Sequence, residues 1–113
     1  MDYGMCDQTA TIYHKENGAI TRTLIKNCYW EYCRERTCDV QGTRMENRFL
    51  LILPGEEQQI LPGDRVYFGI GPEVSLEEWS SFIPARYIRV GEAEYVTPCY
   101  REGILCHTEA GRK

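Results

Sequence analysis

The residues able to do chemistry are six cysteines, Cys6, Cys28, Cys33, Cys38, Cys99 and Cys106, and two histidines, His14 and His107. Thiolates and imidazoles at suitable spacing bind zinc, and a cysteine paired with a histidine and an orienting acid is a nucleophile. Cys28, Cys33 and Cys38 are spaced C-x4-C-x4-C, without the C-x2-C knuckle that turns two thiolates toward one ion. In an extended segment, successive members of this trio face opposite sides, because side-chain direction alternates with period two, and only a bend would gather them. Cys106-His107, with Cys99 seven residues earlier, can add ligands, yet adjacent strand residues also face apart. The expectation is reduced, structural cysteines with no metal and no cofactor. Both histidines lie in alternating strand patterns, and a serine elbow, an H-E-x-x-H pair and a clustered-aspartate motif are all missing. Gly69-Ile70-Gly71-Pro72 lacks the third glycine and the lysine of a phosphate loop. A non-enzymatic protein is therefore expected.

The elements that carry these residues read as strands. The chain has 113 residues, enough for one domain that buries roughly 65% of its unfolded surface. Residues 9–15, Thr-Ala-Thr-Ile-Tyr-His-Lys, alternate and end at Asn17-Gly18, which supplies the positive φ values of a tight hairpin turn. The return run from Ile20 leads into Cys28-Tyr29-Trp30-Glu31-Tyr32-Cys33, with a break or bulge expected near Lys26-Asn27. Phe49-Leu50-Leu51-Ile52-Leu53 is a buried strand candidate, far short of the ~20 apolar residues of a membrane helix. Pro62-Gly63 fits the centre of a type II turn. Ser75-Leu76-Glu77-Glu78 has the form of a capping box, predicting a short helix whose Leu76, Trp79, Phe82 and Ile83 cover the core until Pro84 stops it. Further strands are expected at Tyr87–Val90, at Tyr95–Tyr100, where Pro98 restricts it to an edge position or a strand end, and at Ile104–His107, with residues 110–113 a loose tail.

Residues 34–48 keep neither a helix nor a sheet period. This stretch reads either as a long polar inter-strand loop, of the kind usually tied to function, or as a long hairpin with a solvated tip. The fold class is thus mainly β: one small antiparallel β-barrel domain over residues 1–113, with one short helix and the long loop at 34–48. The N-terminus carries acids where a secretory signal needs bases, so no export signal is expected.

The formal charge of −4 disfavours nonspecific attraction to nucleic acid or anionic lipid. Its distribution is uneven. Arg34, Arg36, Arg44 and Arg48 gather at the long loop, while Glu56, Glu57, Glu73, Glu77 and Glu78 mark an acidic side. A basic interaction loop and an acidic face suit head-to-tail association of copies; two ordinary solvated surfaces are the alternative.

The order Cys6-Asp7-Gln8-Thr9-Ala10-Thr11-Ile12-Tyr13-His14-Lys15, Ile20–Ile25, an aromatic strand, a long polar insert, FLLILPG and Leu61-Pro62-Gly63-Asp64-Arg65-Val66-Tyr67-Phe68-Gly69 resembles minor-capsid and head-completion proteins of tailed phages and prophages. The similarity covers roughly residues 6–109. It implies a small β-barrel of the stopper, or head-tail connector, kind: a structural protein of the virion, made in the bacterial host cytoplasm. By that resemblance the protein is a monomer alone and forms a ring on phage connector or adaptor and tail proteins, with residues 34–48 as the channel loop. Channel DNA would pass without specific binding, and no membrane is involved. The competing expectation is an SH3-like or OB-like β-barrel module that binds a peptide or cell-wall ligand in a groove lined by Tyr29, Trp30, Tyr32 and Tyr67.

Overall fold

The computed structural model describes residues 6–39, 42–84 and 86–112. Seven strands and one helical turn follow in the order β1 (Gln8–Glu16), β2 (Ala19–Asp39), β3 (Gly42–Pro54), β4 (Arg65–Tyr67), α1 (Leu76–Trp79), β5 (Val90–Glu92), β6 (Tyr95–Arg101) and β7 (Ile104–Arg112). All pairings are antiparallel, in the spatial order β5-β4-β1-β2-β3-β7-β6. The sheet curls into a half-barrel. Past β5 the chain meets the other half of the sheet, where the Glu94 N–H donates to the Gly111 carbonyl of β7 at 2.9 Å.

Local chemistry sets the first hairpin. Asn17 and Gly18 have φ of 52° and 76°, the double positive turn that matches strand twist. Further along, Gln8 pairs with Cys28 but Ala10 with Ile25, so β2 carries one extra residue. Asn27, at φ 61°, absorbs it in a left-handed conformation that asparagine tolerates. The Gln8 side chain fills the interrupted ladder by accepting the Trp30 N–H at 2.9 Å.

β1 is buried on both faces. Ala10 and Ile12 face the main core with Ile25, Leu51, Leu53, Ile60, Val66, Phe68 and Ala110. Tyr13, on the opposite face, packs with Phe82 and Val90 in a second cluster. The segment after β4 covers that second face. Thr11 Oγ1 donates to the Gly69 carbonyl at 2.9 Å and accepts the Gly71 N–H at 2.8 Å, and Tyr13 donates to the Pro72 carbonyl at 2.5 Å. A Cβ at Gly71 would stand 2.2 Å from the Tyr13 hydroxyl, so only glycine lets the backbone approach this closely.

Four expectations need correction. Residues 34–48 are not an unstructured loop: the β2–β3 ladder runs from Tyr29↔Ile52 to Asp39↔Gly42, so the long hairpin is the form adopted, and its tip at 40–41 lies outside the described residues. Residues 110–112 are not a loose tail, because β7 continues to Arg112 and Ala110 is fully buried; Lys113 lies outside the described residues. The capping box at Ser75 forms, but the helix ends at Trp79, well before Pro84, and Leu76 is 51% exposed. Cover comes from Phe82, and from Arg65, which lies over the Trp79 ring and donates to the Trp79 and Phe82 carbonyls. Finally, Tyr87 and Ile88 are exposed in turns, and a strand begins only at Val90, after Arg89 at φ 70°.

Phe68 is the centre of the main core. Its ring lies 5.0 Å from Phe49, 5.2 Å from Tyr32 and 5.3 Å from Trp30, and it is fully buried. A Cβ added at Gly91 would meet the Phe49 ring at 2.6 Å and Phe68 at 3.3 Å. Phe68→Ala is expected to cost about 3–5 kcal/mol and Gly91→Ala about 1–3 kcal/mol, by cavity formation and overpacking respectively. Urea unfolding of each variant measures both, and Gly91→Ala at wild-type stability would show that the Phe49 ring has room to turn.

Candidate functional site

The long hairpin is the feature that the rest of the fold positions. Pairing of β1 with β2 reaches Cys28, and pairing of β7 with β3 begins at Phe49↔Arg112. From Cys33↔Arg48 outward to Asp39↔Gly42 the two strands pair only with each other among the described residues. At a rise of about 3.3 Å per residue, this two-stranded arm extends about 20 Å past its root. The molecule measures 47 × 32 × 22 Å along its principal axes.

Aromatic packing anchors the root. Trp30 and Tyr32 of β2 and Phe49 of β3 converge on Phe68, and the Tyr32 hydroxyl accepts the Arg89 N–H at 2.9 Å. Trp30 Nε1 donates to the Thr9 carbonyl at 3.0 Å. An open cleft of about 230 Å³ lies where the arm leaves the sheet, lined in part by Tyr32, Cys33, Arg48, Phe49 and Arg112.

Of the four arginines expected in the interaction segment, Arg48 is exposed at this root. Arg34 stands opposite Asn47, Arg36 opposite Met45 and Arg44 opposite Thr37 in the ladder, so all three backbone positions are on the arm; their side chains lie outside the described residues. The glutamates fall into two groups. Glu77 and Glu78 lie in α1 and Glu73 just before it, and Glu56 and Glu57 sit in the connection after β3; all five are exposed.

The four aromatics expected to line one groove are divided. Trp30 and Tyr32 face Phe68, whereas Tyr29 hydrogen-bonds Glu31 on the other face of β2 and Tyr67 packs against the second core cluster. The alternation of β2 explains the split between Tyr29 and its neighbours.

The titratable groups have distinct settings. His14 Nδ1 lies 2.5 Å from Asp64 Oδ1 and Nε2 lies 3.3 Å from Glu16, so both ring nitrogens address carboxylates rather than a thiol. Asp64, 5% exposed, also accepts the Leu61 N–H at 2.9 Å, and so pins the Pro62-Gly63 turn to β1. The Asp64 hydrogen bond and charge raise the His14 pKa. Cys28 faces the core, and burial pushes its thiol up to about 11, which leaves it protonated and inert at neutral pH. Cys33 is exposed at the arm root, so the strand separates Cys28 and Cys33 as period two requires. The Cys38 side chain lies outside the described residues. Cys99 and His107 are direct partners across β6 and β7, and their ligand atoms and a carboxylate oxygen of Glu109 lie within 4.8 Å of one another. The sequence grouped Cys99 with Cys106-His107 as possible ligands, and Glu109 was not among them. The H-x-E spacing of residues 107–109, which places two ligands on one strand face, is the signal that finds it.

Because the folded-state His14 pKa is raised, its contribution to stability is full below the ordinary histidine value of about 6.5 and is lost as pH rises through the folded value. The Tm difference between wild type and His14→Gln is accordingly expected to be largest in mildly acidic buffer and to shrink toward alkaline pH. Thermal melts across that range test this, and a pH-independent difference would mean that folding leaves the His14 pKa unchanged. No protein family, no curated protein and no solved structure matches the chain.

Proposed function

We propose that this protein is a non-enzymatic connector of the head-completion or stopper type, which joins the head of a tailed phage to its tail. The observation that carries the reading is the β2–β3 arm, paired only to itself beyond Cys33↔Arg48. A two-stranded ribbon without a third strand is marginally stable in water, so a further surface lying against it would add stability. An aromatic root that carries a ribbon with open strand edges is what a docking arm requires.

Charge supports a heterologous arrangement of copies. The arm segment 34–48 carries four arginines against three acids, and exposed glutamates lie on α1, just before it at Glu73 and on the connection after β3 as well as elsewhere on the surface. The arm of one copy meeting the acidic side of the next closes a ring if the rotation between copies closes. The remaining parts of the proposal are that the protein is a monomer in dilute solution, that assembly takes place on connector or adaptor and tail proteins of the virion, and that channel DNA passes without specific contacts. A peptide-binding or cell-wall-binding barrel fits less well, because the aromatics such a groove would use are shared between two faces and two core clusters.

Deleting residues 36–46 and closing the ladder with a short turn is expected to leave Tm within a few degrees, since among the described residues the backbone of the deleted ribbon pairs with no other strand of the body. The same variant is expected to be absent from purified phage particles that contain the wild-type protein. Mass spectrometry of the particles and thermal melts of the isolated chain read the two effects. Failure to find even the wild-type protein in particles, with no portal, capsid or tail genes beside its coding sequence, would overturn the assignment.

A further inference from the structure

We infer that Cys99, His107 and Glu109 form a binding site for one divalent ion of the zinc class, which clamps β6 to β7. The site is independent of the arm and of the connector assignment. Cys99 and His107 are register partners, and Glu109, two residues after His107 and opposite Thr97, shares their side of the β6–β7 pair. The opposite side of the pair carries Val96 and Ala110, which pack into the main core, so the three ligand residues stand on the outer surface of the half-barrel.

The geometry is close to what an ion needs. The three ligand atoms lie within 4.8 Å of one another. Tetrahedral zinc, with sulfur at about 2.3 Å and nitrogen or oxygen at about 2.0–2.1 Å, sets ligand separations of roughly 3.3–3.6 Å. The difference is about an ångström of rotamer adjustment in three half-exposed side chains, whose backbone positions the ladder already fixes. Thiolate, imidazole and carboxylate together select zinc-class ions over magnesium or calcium, which prefer oxygen alone. Three protein ligands leave a fourth position for water or for a donor from outside the chain. On binding, the Cys99 thiol gives its proton to solvent and the neutral imidazole offers a ring lone pair, so affinity rises with pH.

The location gives the clamp a purpose. β6 is the outermost strand, and its register with β7 shifts between Cys99 and Tyr100. The ion would tie the hairpin together beside that irregularity. Cys106 is the residue inserted at that shift, between Leu105, partner of Tyr100, and His107, partner of Cys99.

The test uses the full chain, purified under reducing conditions and stripped of metal with a chelator, then titrated with zinc by calorimetry and with cobalt(II) by optical absorption. One equivalent is expected, with a thiolate-to-cobalt charge-transfer band, a zinc-dependent rise in Tm and slower amide exchange across β6 and β7. Cys99→Ser should remove the band. His107→Gln and Glu109→Gln should each weaken zinc binding by at least the 10–100-fold that loss of an outer-shell partner costs in known sites. Cys106→Ser should leave stoichiometry and the band unchanged. Absence of wild-type binding at submillimolar zinc would overturn the inference. So would wild-type affinity in the folded Cys99→Ser/His107→Gln double variant, which would place the ion on other thiols.

Discussion

Ring packing around Phe68 is the constraint on which the other features depend. Phe68 follows the last residue of β4 and is held by its N–H to the Arg89 carbonyl at 2.9 Å, while its three ring partners come from β2 and β3. The cluster therefore ties one side of the curl to the other across the interior. Three tilted ring pairs add roughly 2–4 kcal/mol beyond the burial of their area, a large part of a small domain's net stability. They also fix two further features. Gly91 is needed because the Phe49 ring occupies the space of a Cβ, and the direction in which β2 and β3 leave the body is set by Trp30, Tyr32 and Phe49. Arm and barrel are thus positioned by the same four rings.

Where a feature depends on one or two residues, it was legible in the sequence. Asn17-Gly18, the bulge at Asn27, the Pro62-Gly63 turn and the Ser75 capping box each follow from backbone chemistry that a single side chain decides, and each is present. Pro98 left β6 either an edge strand or one that ends there, and the edge is what is found, since β6 is outermost and continues to Arg101. The arm was less legible because hydrophobic alternation reports burial of one face, not backbone pairing. Residues 34–39 and 42–47 pair fully without an apolar face, so their period is silent. Small residues misled at the other end. Ala110-Gly111 looks like the start of a loose tail, yet a Cβ at Gly111 would meet the Phe49 carbonyl at 2.5 Å and the Tyr95 hydroxyl at 2.7 Å. Those residues are small because the space around them is full.

Sites that depend on register are harder still. Cys99 and His107 are eight positions apart, and only the turn at Glu102-Gly103, with φ of 54° and 79°, and the shift at Tyr100 decide that they stand opposite each other. Without that register, Cys99 and the adjacent pair Cys106-His107 read as one group, and the ladder brings only Cys99 and His107 to one face, since adjacent strand residues diverge. The same logic separates Tyr29 from Trp30 and Tyr32. Composition named the residue types in both cases, while pairing decided which of them meet.

The distribution of open strand edges then bears on where a partner can bind. A half-barrel has two edges, and both are guarded here: β5 has three residues, and β6 carries Pro98 and an irregular register. Such features blunt strand addition. Beyond its root the arm differs, because β2 past Cys28 has no β1 beside it and β3 before Phe49 has no β7 beside it. Among the described residues it is the longest stretch of paired backbone whose outer edges remain unpaired. A long open edge invites indiscriminate pairing unless charged residues occupy it, and arginine and acidic residues recur along both strands of this one. Those charges make a partner's affinity depend on complementary charge as well as on backbone geometry. That combination favours a neighbour of complementary charge over indiscriminate strand addition, so under the proposed connector role the arm rather than either barrel edge would make the contact.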